Sequence, residues 1–323
     1  MKWTSAFACL SALGALIVAP AAEAQTYPSK PIRVIVPYPP GNAADILPRL
    51  MGPKVSERLG QQFVVENRAG ASGQIGMEIL AHTPPDGYNL GVGQGGNLAV
   101  APHTYKKIPY DPLKDFVPVV LLATNYLGLV ANTQVPFKTV REMIDWARAN
   151  PGKLAYASNG EGSFPHLGFE LMGVMAGFKF THVPYKGSAQ IVTDLMGGQV
   201  QVAMESFTST VAQVRAGKLR ILAITNNVRD PAQTDAPIVA DTVPGYEMRG
   251  WFGIVGPAGT PGPVIKRLND EFNLAMRAPE IKAKMVASGL IVPNETPEAF
   301  GKLIRSEYEK FAKIVKEIKF EPQ

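Results

Sequence analysis

Short apolar runs alternate with segments of helical periodicity along most of this chain. The alternation starts at Ile32-Arg33-Val34-Ile35-Val36, a run of strand length that leads through Pro37-Tyr38-Pro39-Pro40-Gly41-Asn42 into a helical pattern. Runs at 63–66 and 88–92 flank a helical segment at 73–82, which is βαβ rhythm. The stretch 117–132 is apolar almost throughout and predicts two consecutive strands leaving a first unit. The rhythm then restarts. An amphipathic helix at 139–150, ended by Pro151-Gly152, precedes strands at 154–157, 180–184, 200–204 and 219–225, and helices at 165–176, 189–196 and 208–216 fall between them. Residues 226–245, rich in Asn, Asp, Pro and Gly, predict a loop region, and a strand at 251–256 follows. Helical segments at 261–276, 280–288 and 297–318, with a short strand at 290–292, end the chain. Three terminal helices cannot bury their apolar faces alone, so they must pack on a sheet already present. The first sheet is the expected partner, which makes the first domain discontinuous, with chain crossings near 123–128 and 247–251.

The N-terminus changes the picture of where such a chain works. Lys2, an apolar run from Phe7 to Val18, and Ala22-Glu23-Ala24 read as a removable secretory signal cut near Ala24. The apolar part is shorter than the ~20 residues a membrane-spanning helix needs. The chain's single cysteine, Cys9, lies inside this leader with apolar sequence after it, which favours a free soluble protein over a lipoprotein. Cutting the leader leaves no thiol, so disulfides and thiolate chemistry are excluded and stability must come from the cores. Length suits two domains.

The formal charge of +5 is spread along the chain, and because Lys2 and Glu23 cancel, cutting the leader leaves it unchanged. No basic block or aromatic-basic stripe of the kind a nucleic-acid groove needs is present. A mildly basic balance fits attraction of small anions as well as ordinary solubility. His82, His103, His166 and His182 are scattered, without metal-ligand spacing, and no cofactor or metal is expected.

The chemistry of the first strand-loop-helix junction is that of an anion site. The first N–H groups of a helix lack internal partners and carry part of the helix dipole, so they can hold a carboxylate without a cationic side chain. Two enzyme-like motifs compete. Gly91-Val-Gly-Gln-Gly-Gly96 satisfies the dinucleotide pattern, but Pro102 is expected to stop any following helix, and the run sits in the third strand unit instead of opening the fold. Ser163 and His166 share a helix face and invite a serine-hydrolase reading, yet no nucleophile elbow is present and no acid is positioned to orient the histidine.

Over the whole mature length the chain resembles the Bug-type extracytoplasmic solute receptors, the substrate-binding proteins of tripartite tricarboxylate transport systems. The resembling segments are Tyr27-Pro-Ser-Lys-Pro-Ile-Arg-Val-Ile-Val-Pro37, Val65-Glu-Asn-Arg-Ala-Gly-Ala-Ser-Gly73, Pro85-Asp-Gly-Tyr88, His182-Val-Pro-Tyr-Lys-Gly-Ser188 with Asp194-Leu-Met-Gly-Gly-Gln199, Trp251-Phe-Gly253 and Pro257-Ala-Gly-Thr-Pro261. The resemblance implies a two-lobe α/β periplasmic binding protein of type II-like architecture, each lobe a doubly wound sheet with flanking helices, and a ligand cleft between lobes. The expected division is a signal peptide at 1–24, a discontinuous first lobe at 25–125 and 249–323, and a second lobe at 126–248. The implied ligand is a small carboxylate, bound largely by backbone groups and bridging waters. The implied partners are inner-membrane transporter subunits or, alternatively, a membrane sensor, with the receptor a monomer and not an enzyme.

Carried over by position, the first site loop is Tyr38, Pro39, Gly41, Asn42, Ala43 and Ala44, with Asp45 just inside the helix. The family usually has a Gly-Gly-x-Thr-Asp type of loop. Asn42-Ala43-Ala44 removes a side-chain donor and adds methyl surface. Asp45 can equally cap its helix, and Pro48 and Pro53 put the geometry of that helix in question. The second site segment runs from Ser158 and Asn159 through Gly162, Ser163 and Phe164 to His166. Ser163 suits both an N-cap and a ligand contact. Phe164 replaces a small polar residue of the family and suits either a less polar ligand or interdomain packing. Gln94, Gly95, Tyr185, Lys186, Gly187, Ser188 and Glu205 complete the expected wall. Lys186 reads more simply as a solvated lysine than as an ion-pair partner. Glu205, where the family commonly has Asp, must accept from a donor or face away, because it would repel a carboxylate.

Overall fold

The computed structural model describes residues 27–226 and 235–322. The leader with its expected cut near Ala24, and the middle of the Asn/Asp/Pro-rich loop, lie outside the described residues. The chain opens with β1 (Ile32–Val36), α1 (Ala43–Leu59), β2 (Phe63–Asn67), α2 (Gln74–Ala81) and β3 (Asn89–Gln94). Strands β2, β1 and β3 lie side by side and parallel, as βαβ connections require.

Helix α1 continues through both prolines. Leu47, Met51, Val55 and Leu59, four apart on one face, are buried in the core. That seam, with Asn42 as N-cap and a left-handed Gly60 (φ 67°) as C-cap, holds the helix against the two missing N–H groups. After β3 the chain turns helical again, through a π-type turn at Gly96–Val100 into the short α3 (Ala101–Thr104). This corrects the expectation that Pro102 prevents a helix. Pro102 sits in the first turn of α3, where the N–H it lacks would have had no partner.

The stretch expected to form two strands is one, β4 (Phe116–Asn132), and it belongs to two sheets. A continuous apolar run does not reveal whether the chain turns within it. Then follow α4 (Val140–Ala149), β5 (Ala155–Ser158), α5 (Phe164–Ala176), β6 (Thr181–Pro184), α6 (Ser188–Met196), β7 (Val202–Ser206), α7 (Phe207–Arg215) and β8 (Leu219–Ile224). From Leu127 onward β4 pairs antiparallel with β7 and β8, while β5 lies parallel between β7 and β6, which builds the second sheet. The return is β9 (Arg249–Pro257), followed by α8 (Gly262–Arg277), α9 (Pro279–Ala287), β10 (Leu290–Ile291) and α10 (Pro297–Glu317). Strand β9 fills the first sheet between β3 and β4, antiparallel to both. Helices α8 and α10 pack on β4, and the Asn269 amide of α8 donates to the Val119 carbonyl at 2.8 Å. The three terminal helices therefore cover the first sheet, as their amphipathic faces require. The α10 segment also reaches the other sheet, with Phe311 5.4 Å from Phe164 and Phe320 6.1 Å from His166 between ring centroids. The result is a two-lobe α/β architecture joined through β4, β9 and this aromatic contact.

Candidate functional site

Between the two sheets lies a cavity of about 560 Å³. Its first-sheet wall includes Tyr38 and Asn42 from the loop before α1, and Gln94 and Gly95 at the end of β3. The opposite wall includes Asn159, Gly162, Ser163 and Phe164 at the start of α5, and Lys186, Gly187 and Ser188 at the start of α6. Helix N-termini from both sheets thus border one space.

The remaining expected positions lie elsewhere. Gly41 and Ala43, with Asn42, line an adjoining cavity of about 870 Å³. Pro39 stays on the exposed loop, where its carbonyl accepts from the Asn42 amide at 3.2 Å. Ala44 is packed into the core. The Tyr185 hydroxyl donates to Asp194 at 2.8 Å, and burial together with that acid pushes it up to about 12. Ser158 is fully buried, its hydroxyl 2.7 Å from His182 Nε2 and 3.0 Å from the Gly160 carbonyl.

His166 is also buried, with its ring stacked on His182 at 3.8 Å. Its Nδ1 accepts the Gly162 N–H at 2.9 Å, and its Nε2 lies 3.4 Å from Glu170. The ring therefore does not serve Ser163, whose hydroxyl instead accepts the His166 backbone N–H at the long distance of 3.4 Å. A nucleophile-base pair does not form there. Burial first, and then the neighbouring His166, lower His182 to about 4.

The two acids of the region contrast. Asp45 accepts from the Gly41 N–H (3.0 Å), from Arg49 Nε (2.8 Å) and from the Asn67 amide (2.9 Å). Burial alone would raise it, but these donors outweigh burial and hold it below the usual carboxylate range. Glu205, on β7, is 1% exposed. Ser209 Oγ donates to its Oε2 at 3.2 Å, while Oε1 has no hydrogen-bond partner among the described residues. Burial raises this carboxyl, and nearby Ser188, Ser209, Asn159 and the Ser206 amide offset the rise only in part.

Sequence reasoning missed the floor. Asn125 of β4 and Gly250, Trp251 and Phe252 of β9 line the cavity, because strands that pass between two sheets must underlie whatever space the sheets enclose. The placement of the crossings near 123–128 and 247–251 was the signal that could have found them. Asn125 Oδ1 and Trp251 Nε1 are buried without partners among the described residues, one an acceptor and one a donor. The first two glycines of the dinucleotide-like run serve packing: a Cβ on Gly91 would lie 2.5 Å from Leu80, and one on Gly93 2.5 Å from Leu98.

The comparisons with known proteins agree with this geometry. Residues 47–320 match the family described as tripartite tricarboxylate transporter family receptor. The chain is 39% identical to a UPF0065 protein in the tcbD-tcbE intergenic region of Pseudomonas sp. strain P51, over 90% of this chain and 87% of that one. It is 34% identical to protein BugT of Bordetella pertussis over 93% of each. Among solved structures it is similar to R. palustris Rpa4515 with adipate (TM-score 0.81, 32% identity, 92% of this chain and 100% of that one). It is also similar to MatC from Rhodopseudomonas palustris with bound malate (TM-score 0.77, 29% identity, 90% and 100%). No helix among the described residues is long and apolar enough to cross a membrane. The chain is thus a periplasmic solute-binding receptor and not an enzyme, and it belongs to the tripartite tricarboxylate transporter receptor family.

Proposed function

We propose that this receptor captures a small carboxylate in the cavity between its sheets and delivers it, as a monomer, to the inner-membrane subunits of a tripartite tricarboxylate-type transporter. The lobes are 25–125 with 249–323, and 126–248. The observation that carries the reading is the ring of helix starts: α1 from one sheet, α5 and α6 from the other, bordering a space whose lining contains one cation, Lys186, and one acid, Glu161. Helix starts offer N–H groups and positive dipole ends to an anion. Closure of the lobes about β4 and β9 lets one ligand complete hydrogen bonds on both sides, and differential affinity for the closed form shifts the population. The adipate and malate held by the two R. palustris neighbours are carboxylates, which supports the ligand class.

The test is thermal unfolding of protein refolded from denaturant, to strip bound solute, against aliphatic and aromatic carboxylates, amino acids and sugars. A ligand at 100 times its Kd adds about 2.7 kcal/mol of stability, a clear midpoint shift. Shifts confined to carboxylates support the reading; shifts from sugars alone, or from nothing, refute it.

A further inference from the structure

The cleft has two compartments, and one of them carries an apolar stripe. The adjoining cavity of about 870 Å³ shares Asn42, Gln94, Asn125, Ser188 and Phe252 with the polar one, so the two are continuous. Its first-lobe side carries an apolar stripe, Ile46, Leu47 and Leu50 on one face of α1 with Met285 from α9 and Leu290 from β10, beside Lys284 and Ser288, while Ser206 and Ser209 line it from the second lobe. Ile46 is 50% exposed, more than any other large hydrophobic residue described as exposed. A lone exposed isoleucine needs no explanation, but an apolar stripe inside a concavity joined to an anion-binding end does. Among the described residues no acid lines this compartment, and the one charged residue that does is Lys284, which is exposed.

We propose that the ligand is an amphipathic carboxylate, with its carboxylate among the helix starts of the polar compartment and an aliphatic or aromatic body lying along Ile46, Leu50 and Met285. The proposal rests on the carboxylate-receptor reading and narrows it. A second carboxylate laid along Ile46 and Leu50 would lose its water against apolar side chains, at a desolvation cost that a hydrocarbon body does not meet. A hydrocarbon body removes Ile46 and Leu50 from water, since Leu47 and Met285 are already buried. Asn42-Ala43-Ala44 fits this role, since Ala43 lines the second compartment next to Asn42, which borders both.

The experiment is calorimetric titration of the ligand-stripped full chain with propionate, hexanoate, octanoate, 3-phenylpropionate and succinate. Affinity should strengthen by roughly fourfold per buried methylene along the aliphatic series until the compartment is filled. The heat-capacity change should grow more negative in step. In Ile46→Ser, a change at a half-exposed site outside the core, the octanoate-to-propionate affinity ratio should fall at least threefold. A flat series, succinate binding at least as tightly as every longer carboxylate, or an unaltered ratio in Ile46→Ser would each overturn the proposal while leaving the carboxylate reading intact. Failure of every carboxylate to bind would sink both.

Discussion

Asp45 and Glu205 are both buried acids near helix starts at the cleft, one in each lobe, and their surroundings push them in opposite directions. Asp45 has its donors built in: the loop N–H before it, an arginine one turn on, and an asparagine from β2. Its carboxylate fixes the loop before the helix through the Gly41 N–H. Glu205 is buried as deeply, but one of its oxygens has no partner among the described residues. Satisfied polar groups fix a structure, whereas an unsatisfied buried one costs stability. The lesson is that Asp45 acts as a structural clamp on the loop that brings Tyr38 and Asn42 to the cavity. In the second lobe α5 and α6 carry no acid in their first turns.

Breaking the clamp should give the largest effect. Asp45→Ala removes three hydrogen bonds and the countercharge of Arg49, and should cost roughly 2–3 kcal/mol, read as a lower denaturant midpoint at unchanged m. A loss below about 0.5 kcal/mol would make Asp45 a bystander. Glu205→Gln should cost less than about 1 kcal/mol at neutral pH, because it replaces a carboxylate whose ionised form burial already penalises.

The pH profiles sharpen the contrast. The Asp45 carboxyl is held below its unfolded value of 3.8, so its contribution is complete above that pH and is lost as pH falls through its lower folded value. Glu205 is raised above 4.5, so its contribution is present below that value and is lost as pH rises through the folded one. The midpoint difference between Glu205→Gln and the parent protein should therefore move in the variant's favour as pH rises from 4.5; a pH-independent difference would refute the assignment. His182, held near 4 against an ordinary 6.5, should weaken the fold as pH drops across that window. His182→Asn should flatten this part of the curve. The smallest effect is expected from Lys186→Ala: an exposed lysine contributes about 0–1 kcal/mol, so ligand affinity measured by titration should drop by less than about fivefold. A larger drop would shift the weight of recognition from helix starts to a side-chain ion pair.

Much of the fold was legible because burial follows periodicity. The α4 helix begins where Thr139 accepts the Glu142 N–H, and α5 where Ser163 stands before Pro165; both are sequence-local signals. The two errors share a cause. Val117 to Asn132 looks the same whether the chain turns or passes from one sheet to another, and Pro102 looks like a breaker unless its place in the first turn of α3 is known. Around the cavity, Tyr38, Asn42 and Asn159 to Phe164 were readable because glycine and capping residues mark strand-to-helix turns. Asn125, Trp251 and Phe252 were not, since each sits in a strand whose pattern reads as ordinary core. Nor could the sequence say that Tyr185 and His166 would turn to Asp194 and His182 and not line the cavity.

The pairing of β3 with β9 carries a consequence for how the molecule is made. Gly91 and Val255 are register partners, yet the whole second sheet lies between them in the chain. The lobe that begins the sequence can be finished only by its end, and contacts this distant in sequence form slowly because their loop entropy must be overcome first. A nascent or truncated chain that stops before Arg249 carries β3 with an unpaired apolar edge, the kind of surface that seeks another strand. A chain still in synthesis therefore keeps this edge open until its last quarter arrives.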